Sequence, residues 1–487
     1  MKDTLPRLFL LLFCAVVCLW LSPAALADNG AFTIPPNTTH IEAEAFAGCS
    51  GMTSVTIPAG VKSIDKNAFA GCPNLTDVYF EMTFEKFKQS DLYVDIGNEA
   101  LMFSVLHFSD GQIALPVSER LFPDDVFRDY VASTFDTDQN GLLSQNEIDA
   151  VTQIRFPGDF DHHIPIASLK GIEYFGNLTT LMCQFSDLSA LDVSKNTKLE
   201  VLYVGQDQIR ELELTHNPKL RALSCVYSQL DNLDVTQNPL LEYLYCSGNG
   251  LDWLDLTNNP KLLVLYSHYN GLKSLNLSAN TALQELYISN NELTSLNLTN
   301  NTALESLDCR WNHLTNLNVG GCSAMKSILC GYNMLSSINL QSCTSLVEFS
   351  CSSNSLTALN VGNCRNLQYL FCWRNNLSSV NLSQNTALVR VNLSANNSLS
   401  SLTLGSMQNL EMLWVQNTKL SSLNISNCPT IVLAYRQGTR YDFGREGMQI
   451  DNGNWYGYQY GSGLNPGSTS PVDHCQFCVD KATQLTA

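Results

Sequence analysis

Residues 136–147 hold the side chains whose types and spacing point most directly to chemistry. They read D-T-D-Q-N-G-L-L-S-Q-N-E, in which oxygen donors stand at positions 1, 3 and 5, a glycine at position 6 and a glutamate at position 12. Hard oxygen ligands in this order suit a calcium ion, and the glycine permits the sharp turn of the loop. The predicted ligands of one calcium ion are Asp136, Asp138, Asn140, Leu142 through its backbone carbonyl, Ser144 through a water molecule, and Glu147.

Apolar residues at helical spacing flank this loop on both sides. They are Val126, Phe127, Tyr130 and Val131 before it, and Ile148, Val151 and Ile154 after it. Such a pattern predicts a helix on each side, so residues 121–164 resemble a single EF-hand module. One loop alone is neither a paired sensor nor a two-loop dockerin, and an Asx-rich turn that binds nothing is the alternative. We expect the module to rigidify the joint between the segments that it connects.

Two other clusters offer weaker chemistry. Residues 159–163 contain two aspartates and two histidines that could hold a metal, but the neighbouring prolines favour a solvated loop. His474–Cys478 contains a single C-x-x-C, which in an exported protein favours a local disulfide over a zinc site that needs two more ligands. The motifs H-E-x-x-H, G-x-S-x-G and the phosphate loop are absent from the sequence, so we expect no enzymatic activity.

A repeat of 21 residues organises most of the chain. Leucine or an equivalent recurs at 178, 199, 220 and onward to 388, and then at 410 and 431 after one extra residue. Each unit reads L-x-x-L-x-C-x-x-N-x-L, a short strand with alternating inward positions. One unit cannot bury its own apolar face, so stacked units must share a core as a solenoid. About twelve coils spaced by roughly 4.8 Å predict a parallel sheet on the order of 55 Å long.

Cysteine and asparagine form columns within this repeat. The inward strand position carries cysteine in seven coils but Ser267, Ile288 or Leu393 in others, which favours buried thiols over disulfides or metal ligands. Amide side chains can satisfy both kinds of backbone group in a buried turn. We therefore interpret two asparagine columns as structural: one at 249 and every 21 residues to 396, and one from 196 to 385 in which cysteine replaces asparagine at Cys322, Cys343 and Cys364.

A 21-residue unit with a cysteine ladder resembles the internalin-J-type leucine-rich repeats of bacterial surface proteins. The resemblance covers about residues 165–430, and it implies a protein or glycoprotein ligand. Residues 28–112 carry a second repeat, in which T-I-P at 33–35 returns at 56–58 and A-F-A-G-C at 45–49 returns at 68–72. This segment resembles the BspA-type leucine-rich repeat, and residues 98–108 resemble the stretch that closes such runs.

The predicted fold class is therefore a β-rich leucine-rich-repeat solenoid of short parallel strands, preceded by a small EF-hand helical module and a short second repeat module. The predicted domains are 1–27 signal peptide, 28–112 BspA-type module, 113–120 linker, 121–164 calcium module and N-terminal cap of the solenoid, 165–431 solenoid, and 432–487 C-terminal cap and tail.

The N-terminus and the net charge indicate where the protein works. Lys2 and Arg7 precede an apolar run too short to span a bilayer, and Ala25–Ala27 provides a small-x-small cleavage pattern. We expect a secreted protein without a membrane span, with cell-surface association left open. A formal net charge of -18 argues against a nucleic-acid partner.

Aromatic residues concentrate in the strand half of each coil, where the concave face of a leucine-rich repeat lies. Tyr, Trp and Arg contribute most to interface energy, so these positions predict binding of an extracellular protein or glycan. A polysaccharide ligand and an unrecognised enzymatic or anchoring role of the tail are the alternatives. The predicted ligand-binding face comprises Tyr203, Tyr227, Tyr243, Tyr245, Tyr266, Tyr269, Tyr287, Trp311, Tyr332, Tyr369, Phe371, Trp373 and Trp414.

Overall fold

The computed structural model describes residues 30–156, 158–159 and 161–430, together with the backbone of two short strands at 477–478 and 484–486. It forms two compact units, Met1–Leu220 and Arg221–Ala487. Both are built from parallel solenoid coils and contain few helices, which confirms the predicted fold class. The predicted signal peptide and most of the predicted cap and tail lie outside the described residues.

The first unit contains two repeat segments and a short helical segment between them. Its strands are β1 (Ala31–Thr33), β2 (His40–Ile41), β3 (Ser54–Ile57), β4 (Ser63–Ile64), β5 (Asp77–Phe80), β6 (Tyr93–Val94), β7 (Val105–Phe108), β8 (Ile113–Pro116), β9 (Leu142–Ser144), β10 (Gln153–Phe156), β11 (Thr180–Gln184) and β12 (Val201–Gly205). Its helices are α1 (Phe84–Lys88), α2 (Glu99–Met102), α3 (Asp125–Thr134) and α4 (Gln145–Ala150), with a 3₁₀ helix at Ile172–Tyr174.

The N-terminal repeat forms more coils than its two obvious sequence copies. Strands β1, β3, β5 and β7 pair in parallel, with Ala31 opposite Ser54, Ser54 opposite Asp77, and Asp77 opposite Val105. The first two offsets equal the 23-residue repeat, whereas the third is 28 residues because its coil also contains the five-residue helix α1. Because this coil is longer, its strand falls outside the 23-residue spacing, and the sequence pattern does not reveal it.

Residues 113–120, interpreted as a linker from the sequence, begin with a strand. β8 pairs antiparallel with β7 on one side and with β9 on the other. β9 is the last part of the 136–147 loop, so the loop joins the sheet of the first repeat directly. After α4, the chain enters β10, which pairs in parallel with β11 of the 21-residue repeat. Residues 121–156 therefore contribute a strand to each of two sheets.

The second unit consists of 21-residue coils. Its strands are β13 (Ala222–Val226), β14 (Tyr243–Tyr245), β15 (Val264–Tyr266), β16 (Glu285–Tyr287), β17 (Ser295–Asn297), β18 (Ser306–Asp308), β19 (Asn316–Asn318), β20 (Ser327–Leu329), β21 (Glu348–Ser350), β22 (Tyr369–Phe371), β23 (Ser379–Leu382), β24 (Arg390–Asn392), β25 (Ser401–Leu404), β26 (Met412–Trp414), β27 (Ser422–Asn424), β28 (Phe477–Cys478) and β29 (Gln484–Thr486).

Parallel pairing in this unit keeps the register that the repeat predicts. Leu244 lies opposite Leu265, which lies opposite Leu286, and each is fully buried. At the C-terminal end, β28 pairs in parallel with β26, and β29 pairs in parallel with β27. Two pieces of the tail thus extend the sheets of the last described coils, as a chain that covers the end of a solenoid must do.

The two asparagine columns differ in how they use the amide group. Asn312 donates through Nδ2 to the carbonyls of Ile288 and Cys309, and its Oδ1 accepts from the N–H of Leu293 at 3.0 Å. Asn280 also donates to two carbonyls, Leu256 at 3.0 Å and Asn259 at 2.9 Å. Its Oδ1, however, is buried without a partner among the described residues, as are those of Asn196, Asn259, Asn301 and Asn385. For these five members of the second column, the expectation that the amide satisfies both kinds of backbone group is wrong.

This difference explains where cysteine can replace asparagine. The second column requires only a donor, and Cys322 places Sγ 3.4 Å from the carbonyl oxygen of Leu298 and 3.6 Å from that of Asn301. A thiol is a weak donor without a strong acceptor function. The first column requires donor and acceptor together, and it carries asparagine in eight successive coils.

The inward cysteines are buried, as the repeat predicted. Cys183, Cys246, Cys309, Cys330, Cys351 and Cys372 are fully buried and lie outside any disulfide. Burial raises the pKa of Cys183 and Cys246 to about 12, from an ordinary value of 9.0. The thiolate is the reactive form of cysteine, so these side chains act as packing groups.

We expect Cys246 in the folded protein at pH 8 to react with iodoacetamide at least tenfold more slowly than in guanidinium, because its thiolate is scarce and covered. Mass spectrometry of the Cys246 peptide over time measures both rates. Because the pKa is raised by folding, the thiol stabilises the fold fully below about pH 9 and loses that contribution as the pH rises toward 12. Equal alkylation rates in the folded and unfolded states would contradict this account.

The helices of the described chain are short. The longest, α3, has ten residues, and across the residues that the structure describes no helix has the length and apolar character needed to cross a bilayer.

Candidate functional site

The 136–147 loop gathers its predicted ligands at the end of α3. Carboxylate oxygens of Asp136, Asp138 and Glu147 lie within 4.8 Å of one another. Asp136 is buried, and its two oxygens accept the N–H groups of Asn140 at 3.1 Å and Gly141 at 2.9 Å. Gly141 has φ +80°, a left-handed conformation that glycine adopts without strain. The loop is therefore closed around its acidic side chains.

Glu147 holds the two ends of the loop together. Its Oε1 accepts from the N–H of Thr137 at 2.7 Å, and its Oε2 accepts from the N–H of Ser144 at 2.9 Å. Ser144 in turn caps α4, so the pair forms a capping box. Burial raises the pKa of Glu147, but the hydrogen bonds from Thr137 and Ser144 together outweigh it and lower the pKa below its usual value. The carboxylate is ionised at neutral pH and available to a cation.

The remaining predicted ligands make hydrogen bonds within the loop. Asn140 Oδ1 accepts from the N–H of Leu142 at 2.7 Å, and the Asn140 amide donates to Asp138 Oδ2 at 2.8 Å. Leu143, the apolar position of the loop, is fully buried. The donors are all oxygens, three of them from carboxylates and one from an amide, which is the set that calcium prefers.

Contacts around α3 connect the loop to its surroundings on both sides. Asp124 caps α3 by accepting the N–H of Phe127 at 3.0 Å, and its other oxygen accepts that of Ala167 at 2.8 Å. Phe122 is fully buried, and its ring packs edge-on against that of Phe127 at a centroid distance of 5.9 Å. It also stacks on Phe175, at 6.3 Å. The module is thus packed into the first unit and is not tethered loosely.

The 159–163 segment does not assemble a metal site among its described residues. The ring of His162 pairs with Asp159 at 2.9 Å, whereas His163 pairs with Asp187 at 3.3 Å, and all four side chains are largely exposed. A different group, His40, Glu42 and Asp65, does bring three ligand atoms within 4.8 Å of one another. Sequence reasoning missed this group, although the 23-residue repeat places Glu42 and Asp65 in adjacent coils.

The solvent side of the parallel strands in the second unit, here called the strand face, carries most of the predicted aromatic ligand residues. Tyr266 lies at its centre: its ring is 5.2 Å from that of Tyr245 and 4.4 Å from that of Tyr287. Its hydroxyl donates to Glu285 Oε2 at 2.9 Å. Burial and this hydrogen bond raise the pKa of Tyr266, so the phenol stays neutral. With Tyr243 these residues form a half-buried tyrosine patch.

Charged residues lie on the strands that follow the tyrosine patch. Arg310 donates through Nε and Nη2 to the two oxygens of Asp308, at 3.0 and 2.9 Å. Both side chains are largely removed from solvent, with 13% and 8% exposed. Glu348 accepts from the hydroxyl of Ser327 at 3.1 Å, and burial raises its pKa. We call Asp308, Arg310 and Glu348 the charged centre.

A second aromatic group, the Trp373 patch, consists of Tyr369, Phe371 and Trp373, all half-buried on the strand face. Arg374 lies over the ring of Trp373, 5.9 Å from its centroid. Trp414 lies further along the strand face, in β26. Tyr203 lies in β12 of the first unit.

Four of the predicted face residues occupy a different place from the strands. Tyr227, Tyr269, Trp311 and Tyr332 stand one residue beyond the outward strand positions, and each has φ between +52° and +56°. Grouping them with the outward strand positions misassigned them, because the strand has ended and the backbone turns left-handed at this point. They form a turn column that also includes Asn290 and Ser353.

Similarity to known proteins follows the two repeats. The family model described as "BspA type Leucine rich repeat region" matches residues 28–96, within the module predicted at 28–112. Internalin J of Listeria monocytogenes serotype 4b (strain F2365) is 33% identical over 76 residues, which is 16% of this chain. The matched stretch covers 8% of the length of that relative.

The solved functional domain of InlJ from Listeria monocytogenes, which includes a cysteine ladder, superposes with a TM-score of 0.59 and 30% sequence identity. The alignment covers 66% of this chain and 70% of that domain. The chain belongs to the internalin-type leucine-rich-repeat proteins of bacteria. An internalin from Listeria monocytogenes strain 4b F2365 shares the fold of this internalin-type chain, with a TM-score of 0.52, 19% identity, and coverage of 66% of this chain and 98% of that one.

Proposed function

We propose that this internalin-type protein is secreted and recognises a protein or glycoprotein ligand on its strand face. The observation that carries the proposal is the arrangement of that face: two aromatic patches flank a charged centre whose ion pair is already largely desolvated. Aromatic and arginine side chains in such water-excluded settings contribute most of the binding energy of protein interfaces.

The charged centre favours a protein ligand over a neutral polysaccharide. Arg310 and Asp308 neutralise each other, whereas Glu348 has no ion-pair partner within salt-bridge distance in the described part of the chain. A cationic side chain of a partner would pair with Glu348 at little extra cost, because the residue is already half-buried. The proposed alternative role of the tail concerns residues that lie mostly outside the described part of the chain.

We expect residues 28–487 to bind at least one ligand on an array of secreted and cell-surface proteins, and Tyr266→Ala or Trp373→Ala to weaken that binding about 30-fold each, the size of a hot-spot loss of about 2 kcal/mol. Biolayer interferometry with each hit measures the affinity, and circular dichroism confirms that the variants are folded. A parallel glycan array tests the polysaccharide alternative.

The matched control is Trp253→Ala, which removes an exposed tryptophan, 49% accessible, that lies outside the strands. It should leave the affinity unchanged. Binding that survives both strand-face variants, or that falls equally in the Trp253 variant, would place the interface elsewhere on the molecule.

We also propose that the 136–147 loop binds one calcium ion. The support is the fit of the donor set: three carboxylates within 4.8 Å, an amide oxygen from Asn140 and a carbonyl from Leu142, on a loop between two helices. A bound ion would draw Asp136, Asp138 and Glu147 together and neutralise their repulsion. Since β9 joins one sheet of the first unit and β10 joins another, an ion here would stiffen the connection between them.

A further inference from the structure

A groove on the second unit lies beside the strand face and has a different chemical character. Its volume is about 550 Å³, and its lining includes Asn290, Trp311, His313, Tyr332, Met334 and Ser353. We call it the turn groove, because Asn290, Trp311, Tyr332 and Ser353 belong to the turn column. Tyr332 also contacts Trp373 edge-on at 5.9 Å, so the groove borders the Trp373 patch.

Backbone conformation makes the aromatic residues of the groove unusual. Trp311 and Tyr332 have φ of +54° and +56°, where bulky side chains are disfavoured. Equivalent positions in other coils carry Tyr227 and Tyr269 but also Gly248, Asn290 and Ser353, so the turn forms without a ring. The turn therefore does not require the large rings of Trp311 and Tyr332. Strained backbone at bulky residues is a reason to look for function.

The two rings form one flat aromatic unit. They stack with centroids 3.8 Å apart and planes inclined by only 7°, and Trp311 is 40% exposed. The neighbouring positions of the turn column, Asn290 and Ser353, carry short side chains without a ring. Met334, 55% exposed, adds apolar surface beside it.

Polar groups at the two ends of the stack have no hydrogen-bond partner in the described part of the chain. Asn290 Nδ2 and Ser353 Oγ are buried and make no hydrogen bond to the described residues. Leaving such a group unpaired is unfavourable, so a side-chain rotation that lets it bond to a ligand hydroxyl is favoured. The groove is lined by no carboxylate, lysine or arginine among the described residues, which favours an uncharged ligand.

From these features we infer that the turn groove binds a sugar ring of an uncharged glycan. The apolar C–H face of a pyranose would lie against the Trp311–Tyr332 unit, and its hydroxyls would pair with Asn290, Ser353 and His313. The groove is within the usual size of small-ligand sites, about 300–1,000 Å³, whereas a protein partner needs roughly 800 Å² on each side. The inference is independent of the protein ligand proposed for the strand face.

The experiment titrates residues 28–487 with uncharged oligosaccharides, namely chitotetraose, cellotetraose, mannotriose and N-acetyllactosamine, with sialyllactose as the anionic comparison. Tryptophan fluorescence and calorimetry report binding. We expect at least one uncharged probe to bind, and Trp311→Asn or Tyr332→Ser to weaken it at least tenfold. These variants insert the residues that Asn290 and Ser353 already provide at the same left-handed position, so the coil should keep its fold.

Tyr266→Ala and Trp253→Asn should leave glycan binding unchanged, which separates this site from the strand face. The inference is overturned if none of the uncharged probes binds at concentrations up to about 10 mM, if only sialyllactose binds, or if binding persists in Trp311→Asn. Loss of protein binding with retained glycan binding would reject the proposed function alone.

Discussion

Replacement of Asn312 by cysteine is expected to lower the free energy of unfolding by about 3–6 kcal/mol, whereas the same replacement of Asn280 should cost only about 1–2 kcal/mol. Both side chains are buried and both donate to two backbone carbonyls. Only Asn312 also accepts a hydrogen bond, from the N–H of Leu293. A thiol at 312 leaves that N–H and at least one carbonyl unpaired in the core.

At position 280 the loss is smaller for two reasons. A thiol still reaches one carbonyl, as Cys322 does in its coil, and the amide oxygen that it removes has no partner there. Guanidinium unfolding of the two variants, followed by circular dichroism, measures the difference. Asn280→Ala and Asn312→Ala serve as controls, because both remove the donor and should be severely destabilised. Equal midpoints for the two cysteine variants would refute the distinction between the columns.

Calcium at 10 mM is expected to raise the free energy of unfolding of the first unit by about 1.4–2.7 kcal/mol, and Glu147→Gln should abolish that gain. The range follows from mass action with a dissociation constant of about 0.1–1 mM, typical of extracellular calcium modules. Glutamine can still form the capping box with Ser144, so the variant keeps the start of α4 while it loses the last charged ligand of the loop.

Thermal unfolding with calcium and with chelator measures this effect, and hydrogen exchange of residues 117–180 locates it. Glu81→Gln, which changes an exposed carboxylate outside the loop, is the control and should respond to calcium like the natural chain. If magnesium gives the same stabilisation as calcium, or if Glu147→Gln retains the gain, the loop is a turn that binds no specific ion.

The sequence determines the solenoid almost completely because the repeat carries its own register. A leucine every 21 residues places Leu244, Leu265 and Leu286 opposite one another. The inward cysteines identify the buried side of each strand, since the same position accepts isoleucine or leucine. The order of oxygen donors in the 136–147 loop likewise needs no tertiary information.

Other features depend on contacts that a local pattern does not contain. Ile113–Pro116 looks like a connection in sequence, yet it becomes a strand because β7 and β9 both offer unpaired edges to it. Trp311 and Tyr332 come directly after an outward position of their coils, but the chain has already turned left-handed there. Only the surroundings of Asn280 show that its amide oxygen has no hydrogen-bond partner among the described residues. The cysteines that replace asparagine in other coils of the second column indicate this only indirectly.

The hydrogen bonds of the asparagine columns affect how the number of repeats can change during evolution. Each amide reaches back to the coil before it, and every coil from 249 to 396 offers the same backbone groups at the same places. Loss or duplication of one whole repeat in the gene therefore leaves every hydrogen bond with an equivalent partner. The number of coils, and with it the reach of the binding surface, can be altered by recombination without inventing a new fold.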